Sequence, residues 1–113
     1  MLIKSQGYKI NFIDKEDSYV GFDYESSCCE NFWWDVRDAS NQVLDDSSIE
    51  DESILLIALV DTEVGSESDD VEHDYASFLL SNGTYLCLHN SHNGYYGHGW
   101  ESNIKGSVDK GVL

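Results

Sequence analysis

Polar and apolar positions alternate with a period of two in several short runs of this chain, the signature of strands with one face buried. Residues 8–13 place Tyr8, Ile10 and Phe12 on one face, and residues 19–25 place Val20, Phe22 and Tyr24 inward with Gly21, Asp23 and Glu25 outward. The charged stretch 14–18 between them reads as the loop of an antiparallel hairpin. A third strand is expected over 31–37, with Phe32, Trp34 and Val36 on one side and Trp33, Asp35 and Arg37 on the other. Residues 53–60, SILLIALV, form a continuous apolar run of strand length, most simply a buried strand.

The pattern changes at Tyr75. From there to Trp100 the chain contains no Asp, Glu, Lys or Arg, and this stretch is expected to supply the core. Asn82-Gly83 and Asn93-Gly94 punctuate it, both residue types tolerating the positive φ of tight turns. A two-residue turn at Asn82-Gly83 would set Leu80 against Tyr85, Phe78 against Cys87 and Ala76 against His89 on one face, with Leu79 against Leu86 on the other. Beyond His89, Gly94, Gly97 and Gly99 interleave with Tyr95, Tyr96, His98 and Trp100, which suggests a turn leading into a bulged edge or a loop that forms a site.

Ser47-Ser48-Ile49-Glu50 has the form of a capping box, and acids at its start favour a short helix at 47–52. Residues 61–74 read as an acidic loop, and 101–113 as a weakly patterned tail that adds a short edge strand or frays. The expected fold is therefore α+β, mostly β: one domain over 1–113, an antiparallel sheet of about five or six strands with one short helix. Its core should be furnished by Ile10, Phe12, Phe22, Phe32, Trp34, Leu56, Phe78, Leu80 and Leu86.

Composition narrows the function. An apolar fraction of 41% with 12% aromatics supports a folded domain, and 113 residues suffice for one core. The start, MLIKSQGYKINF, does not read as a signal peptide, and the odd cysteine count with adjacent Cys28 and Cys29 is a poor disulfide framework. A cytoplasmic location is expected, with no membrane contact.

Twenty-two acidic against six basic residues give a net charge of −16, beyond the magnitude of about 2–8 that suffices for solubility. Such a surface repels nucleic acid and anionic membranes and attracts a basic protein surface. Thirteen carboxylates and no basic residue fall between Asp38 and Asp74. Carboxylates along a rigid edge could imitate a phosphate track, and the expected contacts are Asp45, Asp46, Glu50, Asp51, Glu52, Asp69, Asp70, Glu72 and Asp74. The partner would be a basic protein, such as a host protein that binds nucleic acid.

The alternative chemistry is metal binding. Cys87, His89, His92 and His98 crowd into twelve residues and are zinc donors by type, although their spacing matches no standard finger and no HExxH helix. No nucleophile elbow, phosphate-cradling loop or kinase motif occurs, and a non-catalytic protein without a cofactor is the expectation. Tyr95, Tyr96 and Trp100 lie close enough in sequence to form a homodimer contact, so monomer and dimer both stay open.

Two motifs together carry a resemblance. Cys28-Cys29-Glu30 ahead of an aromatic strand, and Ser91-His92-Asn93-Gly94-Tyr95-Tyr96 after a hairpin strand, resemble a family of small proteins of unknown function in bacteriophages and prophage-carrying bacteria. The resemblance covers about residues 8–101. The chain differs in having His92 between Ser91 and Asn93, and Gly97 where the family commonly has Ser. It implies a β-rich fold and a phage-like setting, in which a small acidic protein would act as an inhibitor of host defence; it implies no reaction.

Overall fold

The computed structural model describes residues 1–23, 30–68, 71–92 and 99–113, without the side chains of 30, 31, 63–68, 71–73 and 92. Ten strands and one short 3-10 turn are present among the described residues. They are β1 (Leu2–Gln6), β2 (Lys9–Ile13), β3 (Tyr19–Asp23), β4 (Glu30–Arg37), β5 (Val43–Leu44), the 3-10 turn (Asp46–Ile49), β6 (Leu56–Ser68), β7 (Val71–Leu80), β8 (Tyr85–His92), β9 (Gly99–Ile104) and β10 (Ser107–Val112). The fold is mostly β, as the alternation predicts, but the strands divide into two five-stranded antiparallel sheets. Sheet A has the order β1-β2-β3-β9-β10, and sheet B the order β5-β4-β8-β7-β6.

One apolar layer joins the sheets. Phe12, Val20, Phe22, Trp100 and Ile104 come from sheet A and Phe32, Val36, Phe78, Leu86 and Leu88 from sheet B, all buried. Aromatic pairs cross the layer: Phe12 meets Trp34 edge-on at 4.9 Å, Phe22 stacks on Phe32 at 4.9 Å, and Phe78 meets Trp100 edge-on at 5.6 Å. Eight of the nine residues expected in the core belong to this cluster, and the ninth, Trp34, is partly buried and packs against it. A side chain as completely enclosed as Phe12 or Leu86 contributes about 1.5–3 kcal/mol by leaving water.

A second clasp is polar. Asp14, 4% exposed, accepts from the amides of Glu16 and Ser18 through Oδ1 at 2.9 and 3.0 Å, and from the amide of Leu56 through Oδ2 at 2.9 Å. One carboxylate thus shapes the β2–β3 turn and ties it to the start of β6 on the other sheet. The 3-10 turn closes one end of the core with the fully buried Ile49. Its N-cap is Asp45, whose side chain accepts from the Ser47 amide, rather than Ser47 of the expected capping box.

Two expectations about loops need correction. The hairpin at Asn82-Gly83 has a three-residue loop: Gly83 donates to the Leu80 carbonyl at 3.0 Å, and Leu80 donates to Thr84 at 2.8 Å. Gly83 sits at φ +83°, the left-handed residue that such loops require. Phe78 consequently pairs with Leu86, Ala76 with Leu88, Ser77 with Cys87 and Tyr75 with His89. The extra loop residue sends Cys87 and His89 to the face opposite the core aromatics. The stretch 61–74, expected as an acidic loop, instead continues β6 to Ser68 and begins β7 at Val71. As an edge strand with three register irregularities, β6 pairs with β7 on one side only, and the exposed Asp61 lies along it. Of the two outcomes expected for the tail, it takes the first: β10 is an edge strand, paired with β9 in a hairpin over residues 99–112.

Candidate functional site

The outer face of sheet B carries a polar cluster at the centre of the sheet. Trp33, Asp35 and Arg37 alternate along β4, and the β4–β8 register sets them opposite His89, Cys87 and Tyr85 respectively. His89 Nε2 lies 3.1 Å from Asp35 Oδ1. Arg37 grips the same carboxylate with both ends of its fork, Nε to Oδ1 at 3.1 Å and Nη2 to Oδ2 at 3.0 Å, and extends Nη1 to Asn41 Oδ1 at 3.1 Å. The His89 ring is held flat on Trp33, with centroids 4.8 Å apart and planes 10° from parallel. Cys87 Sγ lies 3.7 Å from Ser77 Oγ.

Burial sets the chemistry. Asp35 and His89 are 7% and 4% exposed. Burial alone is the largest influence on the Asp35 carboxyl and pushes it up; the bonds from Arg37 and His89 together outweigh it and hold it below the usual carboxylate range. The carboxylate is therefore charged and satisfied at neutral pH. Burial pushes the Cys87 thiol up instead. With His89 Nε2 committed to Asp35 and the thiol beside Ser77, this arrangement does not generate a thiolate nucleophile.

A groove of about 450 Å³ opens beside the cluster. Arg37, Asn41, Asp61, Tyr75, Ser77, Tyr85, Cys87 and His89 are among its walls, and Tyr75 donates its hydroxyl to Asp61 Oδ2 at 2.9 Å. Of the four expected metal donors, Cys87 and His89 share this face. His92 ends β8 with its side chain outside the described residues, and His98 lies outside them altogether. Asp35 takes a place that the spacing of the cysteine and histidines did not suggest. Asp35, Cys87 and His89 each offer a ligand atom within 4.8 Å of the other two.

The expected acidic contacts separate into groups. Asp45, Asp46, Glu50, Asp51 and Glu52 are exposed around the 3-10 turn. Asp45 Oδ1 accepts from the Ser47 amide at 2.9 Å and its hydroxyl at 2.7 Å, and Asp51 Oδ1 accepts from the Ser53 amide at 2.8 Å and its hydroxyl at 2.7 Å. The amide bonds first, then the hydroxyl bonds, push both carboxyls below their usual range and keep them ionised. Asp74 is a correction: it is 2% exposed, opposite Asn90 on the core-facing side of β7, and so is not a surface contact. Glu72 lies on β7 with its side chain outside the described residues, and Asp69 and Asp70 lie outside them, as do Cys28 and Cys29.

Charge is divided between the sheets. Fifteen of the 22 acidic residues fall between Glu30 and Asp74, with Arg37 the one base among them. Lys4, Lys9, Lys15, Lys105 and Lys110 all belong to sheet A or its turns. None of the described helical segments is long and apolar enough to cross a membrane. No family model, curated protein or solved structure matches the chain.

Proposed function

We propose that the protein is a non-catalytic binding protein that docks the acidic side of sheet B onto a basic surface of a nucleic-acid-binding protein, in competition with nucleic acid. The observation that carries this reading is the charge division: the acids gather on one sheet and its connections while the lysines sit on the other. A molecule polarised in this way is steered into one orientation by a positive partner. The carboxylates of Asp45 and Asp51 are anchored by local hydrogen bonds, so the charges at 45–52 meet a partner with part of their ordering already done. The resemblance to small phage and prophage proteins supports a setting in which the partner is a host defence or nucleic-acid enzyme. In this reading the protein acts inside the bacterial cell.

The test is capture from bacterial lysate with the immobilised protein and with two charge-reversed variants. Asp46→Lys, Glu50→Lys and Glu52→Lys together alter the acidic end and leave the Asp45 and Asp51 turns in place. Glu16→Lys with Glu101→Lys alters sheet A. A DNA- or RNA-binding protein should be captured by the native protein and the sheet A variant, be displaced by duplex DNA, and be lost as salt rises. Its affinity for the sheet B variant should fall at least about tenfold, or 1.4 kcal/mol. Equal capture by both variants, or capture indifferent to salt and DNA, would refute the assignment.

A further inference from the structure

We infer that Asp35, Cys87 and His89 form a binding site for a zinc-class divalent cation on the outer face of sheet B, with the fourth coordination position open to the adjoining groove. Three donor types converge there, a carboxylate, a thiol and an imidazole, from two strands that are hydrogen-bonded neighbours. Asp35 and Cys87 are directly opposed in the register, and His89 follows two residues later on the same face. A tetrahedral zinc ion with bonds of 2.0–2.3 Å spaces its donors about 3.3–3.6 Å apart. The three ligand atoms already lie within 4.8 Å of one another, and His89 Nε2 and Asp35 Oδ1 are 3.1 Å apart. Small side-chain rotations therefore complete the geometry without moving either strand.

The surroundings are those a metal site needs. Arg37 grips both Asp35 oxygens, Nη2 on Oδ2 and Nε on Oδ1, holding the carboxylate as outer-shell groups hold metal ligands, while Oδ1 also faces His89. Trp33 fixes the plane of the imidazole. The ion would displace the thiol proton of Cys87 and the proton shared between His89 and Asp35. Two ligand anions neutralise a divalent ion, and the added charge of Arg37 leaves the site weakly positive within a molecule of net charge −16. The mixed sulfur, nitrogen and oxygen set selects zinc or cobalt over calcium and magnesium, which take oxygen ligands. Three protein ligands with an open position match zinc sites that hold an exchangeable water or an external ligand. The groove, walled in part by Tyr75, Tyr85, Ser77 and Asn41, gives such a ligand access.

Cobalt(II) is the probe, because a bound thiolate gives a charge-transfer absorption band and tetrahedral geometry gives strong visible bands. The protein, freed of metal with a chelator, should bind one equivalent of cobalt with both signatures and release it to zinc. Cys28→Ser with Cys29→Ser should retain the thiolate band, which assigns the sulfur to Cys87 without altering the site. Asp35→Asn and His89→Gln should each weaken cobalt binding at least about tenfold, with the metal-free fold checked by circular dichroism. A double variant His92→Gln and His98→Gln should bind as the native protein does. Absence of a thiolate band in the native protein would overturn the inference, as would its loss with the Cys28/Cys29 variant or with the His92/His98 variant. Should Asp35→Asn fail to fold, unchanged cobalt affinity in His89→Gln would still overturn the inference.

Discussion

Asp14 shows how much one side chain can hold when its neighbours are fixed. The charged stretch 14–18 reads in sequence as the loop of a hairpin, and within it the Asp14 carboxylate is buried and accepts from three amides, one of them on the opposite sheet. Replacing it by Ala leaves those donors without a partner in a place water reaches poorly, which costs about 1–3 kcal/mol per orphaned group in the extreme and less where the turn relaxes. Asp14→Ala should therefore lower stability by about 3 kcal/mol in urea titration, whereas Glu16→Ala, two residues away and exposed, should change it by less than about 0.5 kcal/mol. Equal effects would mean that the clasp carries no stability. At the candidate site the same lesson applies: Asp35 and Arg37 are legible as the outer face of a strand, but their meeting with His89, 54 residues away, depends on the β4–β8 register.

Among the elements, strands with one apolar and one polar face were legible, and those at the ends of the chain or rich in charge were not. β1, β6 beyond Val60, and β10 are edge strands or parts of them, and their sequences lack the regular alternation of apolar and polar residues. The β9–β10 turn explains why the tail forms a hairpin despite its weak pattern. Lys105 and Gly106 lie at φ +51° and +85°, the pair of left-handed residues of a two-residue turn. Lysine bears that conformation at a cost that asparagine largely avoids. Lys105→Asn should raise the melting temperature, a gain of about 0.5 kcal/mol, while Gly106→Val should lower it; a loss of stability with Lys105→Asn would contradict the turn assignment. At the other hairpin, Asn82-Gly83 signalled the position of the turn correctly and its loop length wrongly. One added residue decided which face of sheet B received Cys87 and His89.

At the scale of the whole molecule, the charge of −16 is carried by a body of only 41 × 31 × 24 Å. At about 0.01 M salt the Debye length, about 30 Å, spans most of that body; at about 0.1 M it shrinks to about 10 Å and distant carboxylates no longer repel. Stability should rise over that interval by about 1 kcal/mol, or about 4 °C in melting temperature. The sheet B variant of the binding test, less negative by six charges, should show a smaller rise. A melting temperature that falls with salt would mean that attractive pairs outweigh the repulsion. The sequence alone determined that the chain is strand-rich, which nine residues join the core, where the turn at Asn82-Gly83 lies and how acidic the middle of the chain is, because alternation, turn chemistry and charge are local properties; the turn expected at Asn93-Gly94 lies outside the described residues. Only the tertiary structure decided that the strands form two sheets, that Asp74 is buried, and that Asp35 stands beside Cys87 and His89. Those outcomes depend on pairing between residues far apart in the chain, where a shift of one position exchanges the faces of a sheet.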